Sequence, residues 1–282
     1  MKSFRICMQN IRKWGSNSRI KMCLIMSFLF VYSYISGMWK IIPLVGEKMN
    51  PWIFPFLFCW RFMKIVFMAP IVFIFCDAPF IDSNQSYVML RTSRKKWCFG
   101  QVLYIYAGSV IYAFVLFFST IIINIGHIKW GTSWGKVLGS AGTSTVLSTL
   151  GINYTTVKVP TIVIRYYTPA QAMFFSFLLM VLSFIFIGLL IYTVNVITKT
   201  NVAGTIIAGF FVILTAVVDG NQRLIWFSPI SWNSLNNIDI GGMTEYPGIV
   251  YVLTLYIVMI VVLSVIAVAA GRKTSINSSD EV

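Results

Sequence analysis

Carboxylates are scarce in this chain: only eight of its 282 residues are Asp or Glu, and there is one histidine, His127. A metal-dependent membrane enzyme needs several such ligands converging on one point. A proton relay needs carboxylates inside the membrane. The eight acids (Glu47, Asp77, Asp82, Asp219, Asp239, Glu245, Asp280 and Glu281) all lie at the ends of apolar runs, in connectors or in the tail. Neither chemistry has an obvious carrier. Also missing is the G-x-x-x-x-G-K-[ST] run whose backbone N–H groups and lysine cradle phosphates. Gly135–Lys136 and Gly271–Arg272–Lys273–Thr274 come nearest and lack the spacing. If ATP drives this protein, the ATPase is another chain, with ATP and magnesium bound there and no cofactor or metal bound here. The five cysteines form no C-x-x-C pair and are odd in number, which argues against a disulfide framework. No A-x-A-like site follows the first apolar run, which is too long for a cleaved signal. Nor is there an internal or inverted repeat of the kind found in many secondary carriers.

Apolar residues fill the space that charge leaves. They make up 58% of the chain against 11% charged, with a mean hydropathy of +0.81. Soluble domains are roughly half apolar and about a quarter charged, so lipid must be the solvent for much of this chain. The net charge of +14 raises nucleic acid as a partner. The bases argue against it, because they sit in short segments flanking apolar runs, where they set membrane topology.

The first 19 residues read as a basic amphipathic helix in the headgroup layer. Phe4, Cys7, Met8, Ile11 and Trp14 line one face, while Lys2, Arg5, Gln9, Arg12 and Lys13 point elsewhere. Six spans are expected over 20–270, at about Ile20–Ile42, Trp52–Phe75, Val102–Ile125, Ala170–Val196, Val202–Val218 and Gly248–Ala270. Residues 271–282 form a short polar tail. With both termini on one side, thirteen bases fall on that side and seven on the other, which places both termini in the cytoplasm. Arg61 and Lys64 lie one helical turn apart inside the second span. They either wall a polar substrate path, or snorkel to a headgroup layer, or mark a span that starts later. The connector 126–168 is too long to be structureless. Within it Trp134–Leu150 reads as a short surface helix and the β-branched stretch Thr155–Tyr167 as extended.

Two polar stretches organise the rest. In Cys76–Gln101, Pro79 stops the preceding span, Asp82 is placed to cap a helix with Gln85 at its third position, and Tyr87, Leu90 and Arg91 share a face. Arg94, Lys95 and Lys96 follow, suited to an anionic leaflet or an acidic partner, and Trp97 suits the interface. The second stretch, Trp226–Phe227–Ser228–Pro229–Ile230–Ser231–Trp232, is aromatic and too short to span. In this plan the chain resembles the permease subunits of ABC-2 type exporters of Gram-positive bacteria. The resemblance is carried by Asp77–Ala78–Pro79–Phe80 through Tyr87, Arg91, Arg94 and Trp97, and by the Trp226–Trp232 stretch. It implies a cytoplasmic coupling helix at about Ser83–Thr92 that docks on a separate ATP-binding subunit. It also implies a second permease chain, identical or not, and a re-entrant outer pair of short helices broken at Pro229, in the bacterial cell membrane. The function it implies is ATP-driven export, of an antimicrobial peptide or drug for example. Two rivals stay open: a non-transporting partner in a sensory or immunity complex, and an ATP-independent carrier or channel.

Overall fold

The computed structural model of the chain describes residues 2–80, 92–143, 157–242 and 244–273. These are helical, and the only β-pairings among them are two isolated bridges, Met49–Ile128 and Asp239–Gly248. The long helices are α2 (Ser18–Ser36), α4 (Arg61–Phe75), α5 (Arg94–Asn124), α8 (Pro169–Thr198), α9 (Ala203–Val218) and α11 (Ile249–Lys273). Shorter pieces join them: α1 (Lys2–Arg12), α3 (Ile42–Val45), α6 (Gly135–Ala141), α7 (Thr161–Tyr166) and α10 (Gln222–Ile225). Among the described residues, four stretches are long and apolar enough to cross a membrane: Ser18–Val45, Arg94–Asn124, Pro169–Thr198 and Ile249–Gly271.

The most buried of these four stretches, α8, sits at the centre and packs on α4, α5, α9 and α11. Its start is a capping box, with Pro169 in the first turn and Thr168 and Gln171 answering each other's backbone N–H groups. Small residues let its neighbours close in. Gly188 leaves room for Ile105 and Phe75, and Gly204 of α9 lies directly on the Ile191 carbonyl. The Gly204 N–H also donates to Asn195 Oδ1 at 2.7 Å, while Asn195 Nδ2 donates to the Ala78 carbonyl at 2.8 Å. One buried asparagine thus joins the end of α8, the start of α9 and the exit of α4. Near mid-bundle, Tyr112 of α5 donates to the Phe67 carbonyl of α4 at 3.0 Å and meets Ser27 of α2. Between apolar helices such bonds average about 0.6 kcal/mol each.

The bundle has two unlike ends. At the end that carries α1, here the near end, α1 runs alongside the first turns of α5. Asn10 donates to Gln101 at 2.9 Å, Trp14 to Tyr104 at 2.8 Å, and Ser3 to the Lys96 carbonyl at 2.8 Å. The buried stripe of α1 is Ile6–Cys7–Asn10–Trp14, rotated from the one that periodicity selects. Phe4 is exposed, and Asn10 is buried instead because Gln101 satisfies its amide. Arg19 and Asp77 form a two-pronged ion pair that ties α2 to the exit of α4. The Arg19 guanidinium holds the Asp77 carboxyl below its ordinary range. This tie is therefore complete above that ordinary range and is lost as pH falls through the lowered value.

The far end is a cap of connectors. Segment 46–52 is stitched to 126–136: Met49 exchanges backbone bonds with His127 and Lys129, Asn50 donates to the Ser133 carbonyl, and Glu47 pairs with Lys136 at 2.7 Å. The Lys136 ammonium lowers the pKa of the Glu47 carboxyl. His127 stacks on Trp39 with ring centroids 4.6 Å apart.

Several expected boundaries move. The second apolar run is helical only from Arg61; residues 52–60 are buried turns around a 3-10 helix at Phe54–Phe56, set by Pro55. The third helix begins at Arg94 instead of Val102, with α1 and α11 packed along its first turns, where Trp97, Cys98, Gly100 and Gln101 are buried while Arg94, Lys95 and Lys96 stay exposed. The stretch expected to be extended, Thr155–Tyr167, contains α7, which starts after Pro160 and buries Val163. Of Trp134–Leu150, Gly135–Ala141 is helical.

Replacing Gly204 with alanine puts a methyl onto the Ile191 carbonyl and 2.8 Å from Asn195 Oδ1. Overpacking of this kind costs about 1–3 kcal/mol. G204A is expected to lower the thermal unfolding midpoint in detergent, and an unchanged midpoint would show that α9 can shift freely.

Candidate functional site

The far end holds a buried ring of polar and charged side chains. It begins with Lys64, in the first turn of α4, whose side chain is 1% exposed. An ammonium so buried needs an opposite charge and further acceptors, since desolvation costs several kcal/mol. Asp219, at the end of α9, supplies the charge: Lys64 Nζ lies 2.7 Å from Asp219 Oδ2. Lys64 also donates to the Ser231 carbonyl at 3.1 Å. Asn237 closes the ring, its Nδ2 donating to Asp219 Oδ1 at 3.0 Å and to the same Ser231 carbonyl at 2.9 Å. Three separate pieces of chain (α4, α9 and segment 229–237) meet at this pair.

That third piece is irregular and buried. Two 3-10 helices, Pro229–Asn233 and Leu235–Asn237, follow α10. Pro229 opens the first of them, where its missing N–H costs nothing. Trp232 is buried and donates to the Ile225 carbonyl at 2.6 Å, with its ring edge-on to Tyr256 at 5.5 Å. Tyr256 of α11 donates to the Pro229 carbonyl. Trp226, on the rim, donates to the Glu245 carbonyl at 2.7 Å and packs on Tyr251. The turns at 53–59, buried throughout, face this segment, with Ser234 Oγ 3.6 Å from Cys59 Sγ. Two proline-containing 3-10 segments, Phe54–Phe56 and Pro229–Asn233, therefore plug one end of the bundle. Asn233 is 1% exposed and neither atom of its amide has a hydrogen-bond partner. A cleft of about 560 Å³ opens beside the plug, lined by Asp219, Gly220, Arg223, Glu245 and Tyr246 among others.

The residues singled out from sequence are distributed unevenly. Lys64 is at the centre of the polar ring. Arg61, one turn earlier, is exposed, with its guanidinium 5.6 Å from the Phe62 ring and close to Gly220. Pro229 and Trp232 form the plug and Trp226 its rim. Asp82, Gln85, Tyr87, Leu90 and Arg91 lie outside the described residues, and Arg94 is the exposed first residue of α5. Sequence reasoning missed Asp219 and Asn237. A signal existed for Asp219: a lysine in an apolar run requires a carboxylate, and Asp219 closes a neighbouring apolar run. Asn237 carries no such mark. Among the described residues, no three His, Cys, Asp or Glu side chains converge as a metal site. The chain matches no family model, no curated protein and no solved structure.

Removing one partner of a buried ion pair costs about 3–5 kcal/mol, whereas replacing both with apolar residues is often neutral. Lys64→Met and Asp219→Leu are each expected to lower stability by about that much. The double variant is expected to lose less than either single one in unfolding measurements in detergent. Additive losses would show that the pair is not coupled.

Proposed function

We propose that this chain is the membrane-spanning permease subunit of an ATP-driven exporter of the ABC-2 type, working with a separate ATP-binding subunit and a second permease chain. In this reading all six long helices cross the bacterial cell membrane, with both termini and the near end in the cytoplasm. The observation that carries it is the plugged far end. α4 has 15 residues and α9 has 16, about 22–24 Å of helix against roughly 30 Å of hydrocarbon. Both stop short at the same end, where the buried segments 53–59 and 229–237 fill the difference. Irregular backbone at membrane depth is tolerated only when buried in protein or lining a cavity, and that arrangement suits a path that must open and close.

The near end supports the other half of the proposal. The chain has no phosphate-binding loop, so force must enter from another protein. The sequence-expected coupling residues Asp82, Gln85, Tyr87, Leu90 and Arg91 directly precede α5 and Arg94 opens it, and α5 runs the full length of the bundle with α1 clamped along its first turns. A push there is delivered to α5, and through its contacts with α4 and α8 toward the plug. ATP binds the other chain, so the coupling contact must differ between the two states of the motor. Opening the far end requires the Lys64–Asp219 ring to part or to move as a unit.

Purification from native membranes with mass spectrometry is expected to bring down an ATPase bearing a phosphate-binding loop. Replacing Tyr87, Leu90 and Arg91 together with alanine should release that ATPase while the permease still inserts. An equal yield of coupled ATPase with the triple variant would remove the coupling assignment, and the absence of any ATPase would remove the exporter reading.

A further inference from the structure

We infer that α1 and the first turn of α5 together form a binding surface for anionic phospholipid headgroups. The two basic clusters are about ninety residues apart in sequence, yet Ser3 bonds to the Lys96 carbonyl and Ile6 rests on Gly100. This brings Arg5 and Arg12 of α1 onto the same lobe as Arg94, Lys95 and Lys96, and all five are exposed. Among the described residues, the acid at this end is Asp77, and Arg19 already holds it. A phosphate-bearing surface complements these five exposed cations.

Depth and apolar neighbours favour lipid over an acidic protein. Phe4 and Phe99, 61% and 50% exposed, lie on the same lobe as the cations. Bare phenyl rings next to basic side chains match the boundary between acyl chains and headgroups. The lobe also sits at the right level. Gly271, in the last turn of α11, packs on Cys98, two residues past Lys96. Residues 94–96 thus lie within about one turn of the level where α11 ends, comparable to the roughly 5–8 Å of a headgroup layer. The joint character of the site depends on Gly100, where a Cβ would fall 2.9 Å from Ile6 Cβ.

The inference rests on the membrane placement proposed above, and one experiment separates the two. The full chain is reconstituted in nanodiscs of mixed phosphatidylglycerol and phosphatidylcholine, and the lipids it retains on release are counted by native mass spectrometry. Phosphatidylglycerol should be enriched roughly tenfold or more, given a gain of about fivefold per basic side chain near an anionic surface. The enrichment should fall as salt rises. R94Q/K95Q/K96Q should abolish it. Gly100→Val, which alters no charge, should cut it severalfold by displacing α1. Retention of both lipids without preference, or full preference in the triple variant, would overturn the lipid site. Full preference in a folded Gly100→Val protein would overturn its joint construction. Retention of no lipid at all would instead overturn the membrane placement. Loss of phosphatidylglycerol to an acidic protein that covers Arg94–Lys96 in native membranes would assign the lobe to that partner and overturn the lipid site.

Discussion

A buried ammonium has few ways to exist, and the far end of this bundle is built around one of them. Lys64 needs a carboxylate in contact and acceptors for its remaining protons. Meeting that need brings α9 to α4 and pulls segment 229–237 inward, since Asp219, the Ser231 carbonyl and Asn237 all belong to the same ring. The ring's energy is a small difference between large terms, because Coulomb attraction in an apolar surround is nearly offset by desolvation. Its value is geometric: it admits one arrangement of three chain segments, whereas packing aromatic side chains alone admits several.

The two ends follow different construction rules. The near end is assembled by whole helices laid side by side, with Asn10, Trp14, Asn195 and Gly204 setting the distances. The far end is assembled from turns, 3-10 segments and connectors whose backbone groups need individual partners, and Tyr256, Trp226, Asn50 and Asn237 supply many of them. Helical packing tolerates sliding of one element along another. A cap made of side chain to backbone bonds does not, so motion there is expected in discrete steps.

Much of the bundle was legible from hydropathy. The helices at Pro169–Thr198, Ala203–Val218 and Ile249–Lys273 begin and end within a few residues of their apolar runs, because a run with no polar interruption has only one economical conformation in lipid. The same logic failed for Trp52–Trp60, where a run just as apolar forms buried turns: Pro55 interrupts it, and neighbouring helices cover its backbone. Hydropathy cannot distinguish burial in lipid from burial in protein. For the candidate site, Lys64, Pro229 and Trp232 stood out by type. Asp219 and Asn237 did not, because what makes them matter is a contact across more than 150 residues for the first and a turn geometry for the second.

The parallel run of α1 along α5 bears on how the protein is made. α1 leaves the ribosome ahead of its partners Lys96, Gln101 and Tyr104, which emerge only after two intervening hydrophobic helices. Until then Asn10 and Trp14 lack Gln101 and Tyr104, the groups they bond in the folded chain. Docking of α1 therefore comes after synthesis of α5 and is a late step in folding, joining the first segment of the bundle to a helix that two others precede.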